Sequence, residues 1–251
     1  MTETVLITGG TGVFGSQMVA DFCEMGYQVI FTTTSPSRGE ALLDKIRGTP
    51  KVDFIVVDLL GKRAAEEICS EITKRGLKVN HLINNARSLK SLSVSLNGLT
   101  ERETFQAEFT MNVIAPYELT MELASLTDRS LQTVTNVGSQ YGVVAANRGL
   151  YSDYPNDVPI QYGVSKAALM HLTKELAVRL ADRGIRVNCV AYGGVEGRAD
   201  DEFVARYKTL SPSRRMLKVE EVTGPVLSLI SAKNSAVTGQ TLVADAGWTL
   251  W

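Results

Sequence analysis

The chain has 251 residues, 44% of them apolar, and 26 basic residues stand against 27 acidic ones for a net charge of −1. That balance excludes the basic footprint of a nucleic-acid binder or a membrane-surface protein, and no apolar run is long enough to span a bilayer. No linker-like composition, internal repeat or low-complexity tract marks a boundary, so residues 1–251 read as one α/β domain with a sizeable core. The cysteines Cys23, Cys69 and Cys189 lie singly in apolar-periodic stretches and read as buried structural thiols. With no leader-like segment, the expected compartment is the cytoplasm and the expected partners are small molecules. His81 and His171 stand in no ligand-type cluster, so no metal site is expected.

In chain order, a first strand is expected over Val5 to Thr8, breaking into Gly9, Gly10, Thr11, Gly12, Val13, Phe14 and Gly15. Met18, Val19, Phe22 and Cys23 then keep helical spacing, so the glycines sit between a strand and a helix N-terminus. That position suits an anion: the first helical amides lack partners, and missing Cβ atoms let a pyrophosphate approach the backbone. A second strand, Gln28 to Thr32, runs into Thr33, Thr34, Ser35, Pro36, Ser37 and Arg38. A third, Asp53 to Val57, is followed by Asp58 and Leu59, and a fourth, His81 to Asn84, by Asn85, Ala86 and Arg87.

Asn112 lies in the next helical stretch, and a fifth strand over Gln132 to Val137 leads to Ser139 and Gln140. Between Tyr141 and Ile160 comes a polar and aromatic segment carrying Asn147, Arg148, Tyr151, Asp153, Tyr154, Asn156 and Asp157. A long helix from Tyr162 to Ala181 carries a stripe of Leu169, Leu172, Leu176 and Leu180 that core packing explains by itself. A sixth strand over Ile185 to Val190 precedes Tyr192, Gly193, Gly194 and Val195, and a seventh spans Thr241 to Ala244. Strands alternating with helices imply a single-domain Rossmann fold, a doubly wound parallel sheet of about seven strands with helices on both faces. Ligands then bind beyond the carboxyl ends of the strands, where the informative residues fall.

Tyr162 and Lys166 put a phenol and an ammonium one helical turn apart on one face. Such pairs also occur with the lysine stem merely covering the ring. Bringing a phenol from its ordinary range near pH 10 to neutrality takes about 4 kcal/mol. One ammonium at about 4 Å in an effective dielectric of about 20 contributes on the order of 4 kcal/mol, the scale required. After the second strand no carboxylate is present to accept from the ribose hydroxyls of NAD; hydroxyls and the Arg38 guanidinium suit a 2′-phosphate instead. The expected cofactor is therefore NADP(H), with NAD(H) as second choice, although Arg38 also suits the start of the following helix.

Taken together, the glycine loop at Thr8 to Gly15, Asp58, Asn84-Asn85-Ala86, Asn112, Ser139, Tyr162 with Lys166, Gly193-Gly194-Val195, Thr238-Gly239-Gln240 and Asp245-Ala246-Gly247 resemble the short-chain dehydrogenase/reductase family. The resemblance covers essentially the whole chain, in the short single-domain branch. It implies that Tyr162 is the general acid/base, that Lys166 lowers its pKa and holds the nicotinamide ribose, that Ser139 orients the substrate oxygen, and that Asn112 anchors a relay water. It implies cofactor contacts at Gly9, Thr11, Gly12, Val13, Phe14, Gly15, Thr33, Thr34, Arg38, Asp58, Leu59, Asn85, Ala86, Tyr162, Lys166, Gly193 and Val195. In that reading Asp58 meets the adenine, where its residue type alone would equally suit a helix N-cap.

Three positions depart from the family pattern: Val13 for a loop glycine, Arg87 for the usual Gly, and Tyr192 for a Pro. Ser139 and Tyr162 also stand nearly twice as far apart as is usual, which marks an inserted substrate loop at about 141–160; a second wall is expected over about 194–216. Arg87, Gln140, Tyr151, Tyr154, Tyr192 and Arg198 are the candidate substrate residues. Arg206, Arg214 and Arg215 either grip a phosphate or solvate a helix face. The run from Gly193 to Arg198 and the tyrosine-rich loop resemble reductases of flagellin and surface-glycan modification, which implies a sugar-like or sugar-phosphate substrate. A 3-oxoacyl thioester reductase and a non-catalytic NADP(H)-sensing regulator are the competing readings. The family commonly forms homodimers and homotetramers, and Trp248, Leu250 and Trp251 suit such an interface.

Overall fold

Along β1 (Thr4–Ile7) alternate side chains turn to opposite faces: Val5 and Ile7 join one core cluster and Leu6 the other. A computed structural model describes residues 2–46, 52–95, 97–197 and 199–251. The same alternation recurs in β2 (Gln28–Thr33), where Val29 and Phe31 oppose Ile30, and in β4 (His81–Asn84), where Ile83 opposes Leu82. Strands buried on both faces require helices on both faces. On one side lie α3 (Ala64–Lys74), α5 (Ala115–Ser125) and α8 (Ile160–Leu180), contributing Ile68, Leu119 and Leu176. On the other lie α1 (Val13–Glu24), α2 (Pro36–Lys45) and α10 (Thr223–Ile230), contributing Phe22, Leu42 and Val226.

The sheet is completed by β3 (Val52–Val56), β5 (Thr133–Ser139), β6 (Arg186–Tyr192) and β7 (Thr241–Ala244), in the order β3-β2-β1-β4-β5-β6-β7 with every pairing parallel. All seven expected strands are present, each within about two residues of its expected bounds. The order reverses between β1 and β4, the switch point at which a doubly wound sheet opens a crevice. Cys23, Cys69 and Cys189 are buried free thiols, and the leucine stripe of α8 packs into the core. Among the described residues no helix is long and apolar enough to cross a membrane.

The inserted segment has structure of its own: α6 (Gln140–Val143), a single 3-10 turn at Arg148–Leu150, and α7 (Tyr154–Asp157). It packs on α9 (Asp201–Leu210) through a third cluster of Leu150, Tyr207, Met216 and Trp248. This corrects the expectation for Trp248, which is buried and stacks on Tyr207 at 4.3 Å instead of standing at an interface; Leu250 and Trp251 are exposed.

Candidate functional site

Beyond β1 the chain turns at Gly9, whose φ of +67° lies in the left-handed region that glycine tolerates. The turn is fixed from behind. Gly10 N donates to Thr32 O at 2.9 Å, and Asn85 Nδ2 donates to Thr8 O at 2.9 Å and Gly9 O at 3.2 Å. The Asn85 and Ala86 amides both donate to Thr8 Oγ1 at 3.0 Å. The Asn85 side-chain amide thus braces the loop backbone. A Cβ at Gly15 would lie 2.3 Å from Gly9 O, whereas one at Gly12 would meet only Gly9 O at 3.4 Å.

Gly12 is the N-cap of α1; among the described residues no side chain bonds to that cap, and the first turn carries no acidic residue. Amides without partners, a favourable dipole and open space before Gly12 fit a pyrophosphate. Val13 is partly exposed, while Phe14 turns inward, edge-on to Tyr192 at 5.2 Å, so only its backbone belongs to the loop face.

At the end of β2, Thr33 Oγ1 lies 3.1 Å from Thr11 Oγ1 and accepts from Ser35 N at 3.2 Å. Ser35 caps α2 by accepting from Arg38 N at 3.4 Å. The cap is therefore serine's work, and the Arg38 side chain stands exposed beside exposed Thr34. Asp58 Oδ1 accepts from Leu60 N at 3.0 Å and closes its own turn, while α3 begins at an Arg63 N-cap. The Leu59 side chain is buried in the core, leaving its backbone for a ligand.

Tyr162 and Lys166 lie on the first turns of α8, and the Lys166 ammonium stands 5.9 Å from the Tyr162 ring centroid. Lys166 Nζ donates to Val137 O at 2.7 Å, which ties α8 to the strand ending in Ser139. A Cβ at Gly142 would come within 2.8 Å of the Lys166 carbonyl carbon, so α6, capped by Ser139, lies directly on α8. Burial pushes the Lys166 ammonium down to about 8. Ser139 is the last residue of β5 and its Oγ accepts from Tyr141 N at 3.2 Å.

Asn112 falls in a π-helical turn, Thr110–Ile114, between α4 (Arg102–Phe109) and α5. Its Nδ2 donates to Ser165 Oγ at 2.9 Å, and Ser165 Oγ donates to Tyr162 O at 3.0 Å. Its Oδ1 is buried with no partner among the described residues. Ser139, Tyr162, Lys166 and Asn112 are thereby gathered at the carboxyl end of the sheet.

Above them stands an aromatic wall. The hydroxyls of Tyr141 and Tyr151 lie 2.5 Å apart, and burial pushes both phenols up. Tyr154 Oη donates to Ala146 O at 3.2 Å, and Tyr151 meets Phe203 edge-on at 5.6 Å. Arg206 Nε donates to Leu150 O at 2.8 Å and Arg215 pairs with Glu221 at 2.7 Å, so both arginines serve the fold. Arg87 is exposed, its guanidinium carbon 6.0 Å from the Tyr162 ring centroid.

Two expected substrate side chains are corrected. Tyr192 is buried, with its hydroxyl donating to Val222 O, because the apolar layer under Phe14 takes its ring. Gln140 is buried with its Oε1 accepting from Tyr207 Oη at 3.1 Å, so its carbonyl faces the wall. Gly193 N donates to Ala244 O at 3.0 Å, and Val195 forms an isolated bridge with Leu217. Arg198 lies outside the described residues.

Sequence reasoning missed Glu108, Ser91, Gln161 and Tyr207. Glu108 sits one helical turn before Asn112, a spacing that could have flagged it; the others are joined to the site only by the tertiary fold.

A family model described as enoyl-(acyl carrier protein) reductase matches residues 12–249. An uncharacterized short-chain type dehydrogenase/reductase of Sinorhizobium fredii is 30% identical across 98% of this chain, which spans 43% of that protein's length. The 3-oxoacyl-acyl-carrier-protein reductase of Thermotoga maritima is 28% identical, covering 98% of this chain and 97% of its own. Post-translational flagellin modification protein A of Campylobacter coli is 35% identical over 122 residues, 49% of this chain and 48% of that one. The crystal structure of a short chain dehydrogenase from Leptospira borgpetersenii with bound NAD+ superposes with a TM-score of 0.86 at 27% identity, covering 99% of this chain and 93% of that one.

Proposed function

Because the chain belongs to the short-chain dehydrogenase/reductase family of NAD(P)-dependent oxidoreductases, we propose that it transfers a hydride between NADP(H) and the carbonyl or secondary alcohol of a sugar-like or sugar-phosphate substrate, in glycan modification of the flagellin type. NAD(H) is the second-choice cofactor. The observation that carries the reaction is the Tyr162–Lys166 pair on α8, bound through Val137 to the strand end bearing Ser139.

When bound, the nicotinamide supplies or accepts the hydride. Tyr162 gives its hydroxyl proton to the oxygen that becomes an alkoxide on reduction and takes it back on oxidation. Ser139 donates a second hydrogen bond to that oxygen and fixes its position. Lys166 keeps a positive charge beside the ring and reaches the nicotinamide ribose, while Asn112 anchors a water that resupplies the proton. The first amides of α1, Val13 to Gly15, would hold the pyrophosphate, and Thr34 and Arg38 the 2′-phosphate.

The sugar reading is supported by the tyrosine wall, where Tyr141, Tyr151 and Tyr154 offer apolar ring faces together with hydroxyls. Arg87 beside Tyr162 offers a cation to an anionic group, and the 35% identity to a flagellin modification protein supports the pathway. A second reading, 3-oxoacyl thioester reduction, is favoured by the 28% identity to a 3-oxoacyl-acyl-carrier-protein reductase over nearly both full lengths.

We place the protein in the cytoplasm as a homodimer or homotetramer. The free buried thiols support the first, and exposed Ile160, Val164 and Val178 on α8 support the second; a monomer by light scattering would contradict the assembly.

The test is turnover with NADPH and NADP+ against sugar phosphates, nucleotide sugars and acyl thioesters, with Tyr162→Phe as control. Activity on a sugar that the variant loses supports the whole reading. Activity confined to thioesters keeps the mechanism and replaces the substrate. Tight NADPH binding without turnover across the panel brings the regulatory alternative forward.

A further inference from the structure

Glu108 is 1% exposed, yet among the described residues it makes no ion pair. Its Oε1 accepts from Asn112 Nδ2 at 2.6 Å and its Oε2 accepts from Ser91 Oγ. Gln161 secures the far side by donating from Nε2 to Ser91 O at 3.0 Å. A carboxylate withdrawn from water and held by two neutral donors is costly unless a positive charge lies in reach. The buried ammonium of Lys166 has the complementary deficit: its hydrogen bond goes to a neutral carbonyl, and it too forms no ion pair among the described residues.

The groups around Lys166 can be taken element by element. Tyr162, on its own helix, is one turn away. From β6 comes Cys189, whose thiol burial pushes up to about 12, so near neutral pH it carries no charge. From the segment after β4, Arg87 opposes a second positive charge; from the π turn, Asn112 is neutral. Among the described residues the acidic group that favours the ammonium is Glu108, on α4, whose hydrogen-bonded chain through Asn112 ends at Ser165, the residue before Lys166.

We propose that Glu108 is the buried counter-charge of Lys166 and, through Asn112 and Ser165, a positioning residue for the Tyr162 turn. The inference rests on the reading that Tyr162 and Lys166 handle the proton, but its effect on Lys166 is independent of turnover. Glu108→Gln preserves the contacts, since its carbonyl accepts from Asn112 and its amide can reach Ser91, and removes only the charge.

The experiment is an NMR titration of 13Cε-labelled lysine in the cofactor-free protein, with the Lys166 resonance assigned by its absence in Lys166→Arg. The midpoint for Lys166 is expected to fall by about 0.5–1 pH unit in Glu108→Gln, as loss of a nearby opposite charge requires. The alkaline limb of kcat should move in the same direction. Should the amide variant not fold, Glu108→Met removes the same charge without adding a buried amide and is read identically. Coinciding Lys166 midpoints in wild type and variant would overturn the proposal and leave Glu108 a structural hydrogen-bond acceptor. A shifted midpoint in a protein inactive on every substrate would sustain the counter-charge while refuting the proposed reaction.

Discussion

The Lys166 ammonium and the Val137 carbonyl oxygen meet at 2.7 Å, joining the first turns of α8 to the strand that ends two residues later in Ser139. With the buried bond from Asn136 Nδ2 to Thr173 Oγ1 at 2.9 Å, this contact ties together the two elements on which the proposed chemistry depends.

A pH dependence follows from the burial of that ammonium. Its folded value is pushed down to about 8 from an ordinary 10.5, so in the cofactor-free protein it is charged below about 8 and neutral above. Between those two values the unfolded chain binds the extra proton, and the lysine's contribution to stability grows as pH rises through that window. The stability of wild type relative to Lys166→Met should therefore increase between pH 7.5 and 10.5, by about 3 kcal/mol. Urea unfolding of both proteins at the two pH values measures it; a constant difference would refute it.

Two glycines of the first loop should respond differently to alanine. Gly15→Ala forces a methyl to within 2.3 Å of Gly9 O, so the loop must shift at a cost of about 1–3 kcal/mol, and cofactor affinity falls with it. Gly12→Ala meets only ordinary contact at 3.4 Å and should leave thermal stability almost unchanged. Its methyl instead enters the space before the α1 amides, so NADPH affinity should still fall at least tenfold in a fluorescence titration.

Arg38→Ala tests the cofactor preference. Ser35 caps α2 through the Arg38 backbone amide, so loss of the side chain leaves the helix start intact. If the guanidinium meets a 2′-phosphate, KM for NADPH should rise about tenfold to a hundredfold, the scale of a charged hydrogen bond, with KM for NADH unchanged. Equal changes for both cofactors would remove Arg38 from the site.

Tyr207→Phe should destabilise the substrate wall. The hydroxyl donates to Gln140 Oε1 at 3.1 Å and accepts from Gly194 N at 3.1 Å, so its loss strands two groups at a cost of about 1–3 kcal/mol. Calorimetry should register a drop of several degrees, with KM for substrate rising more than kcat falls.

The sheet was legible because its strands are short apolar runs with punctuation at both ends, and β-sheet periodicity is a local property. The roles proposed for Tyr162, Lys166, Ser139 and Asn112 rest on the family resemblance, to which the structure adds that Ser139 ends β5 while the other three lie on helical turns packed beside it. Tyr192 was misread because a motif position says nothing about which way a side chain turns, and here the apolar core claimed it. The bracing of the glycine loop by the Asn85 amide was not legible, because that role exists only once β1 and β4 lie side by side. Glu108 escaped because an acidic residue on a helix reads as surface until packing buries it.

The stack of Trp248 on Tyr207 has a corollary for substrate choice. Through Tyr207, Trp248 braces Gln140 and Leu150, so the turn after β7 is structurally part of the proposed substrate wall. Removing that indole by Trp248→Ala should therefore change which substrates are accepted while leaving nucleotide binding alone.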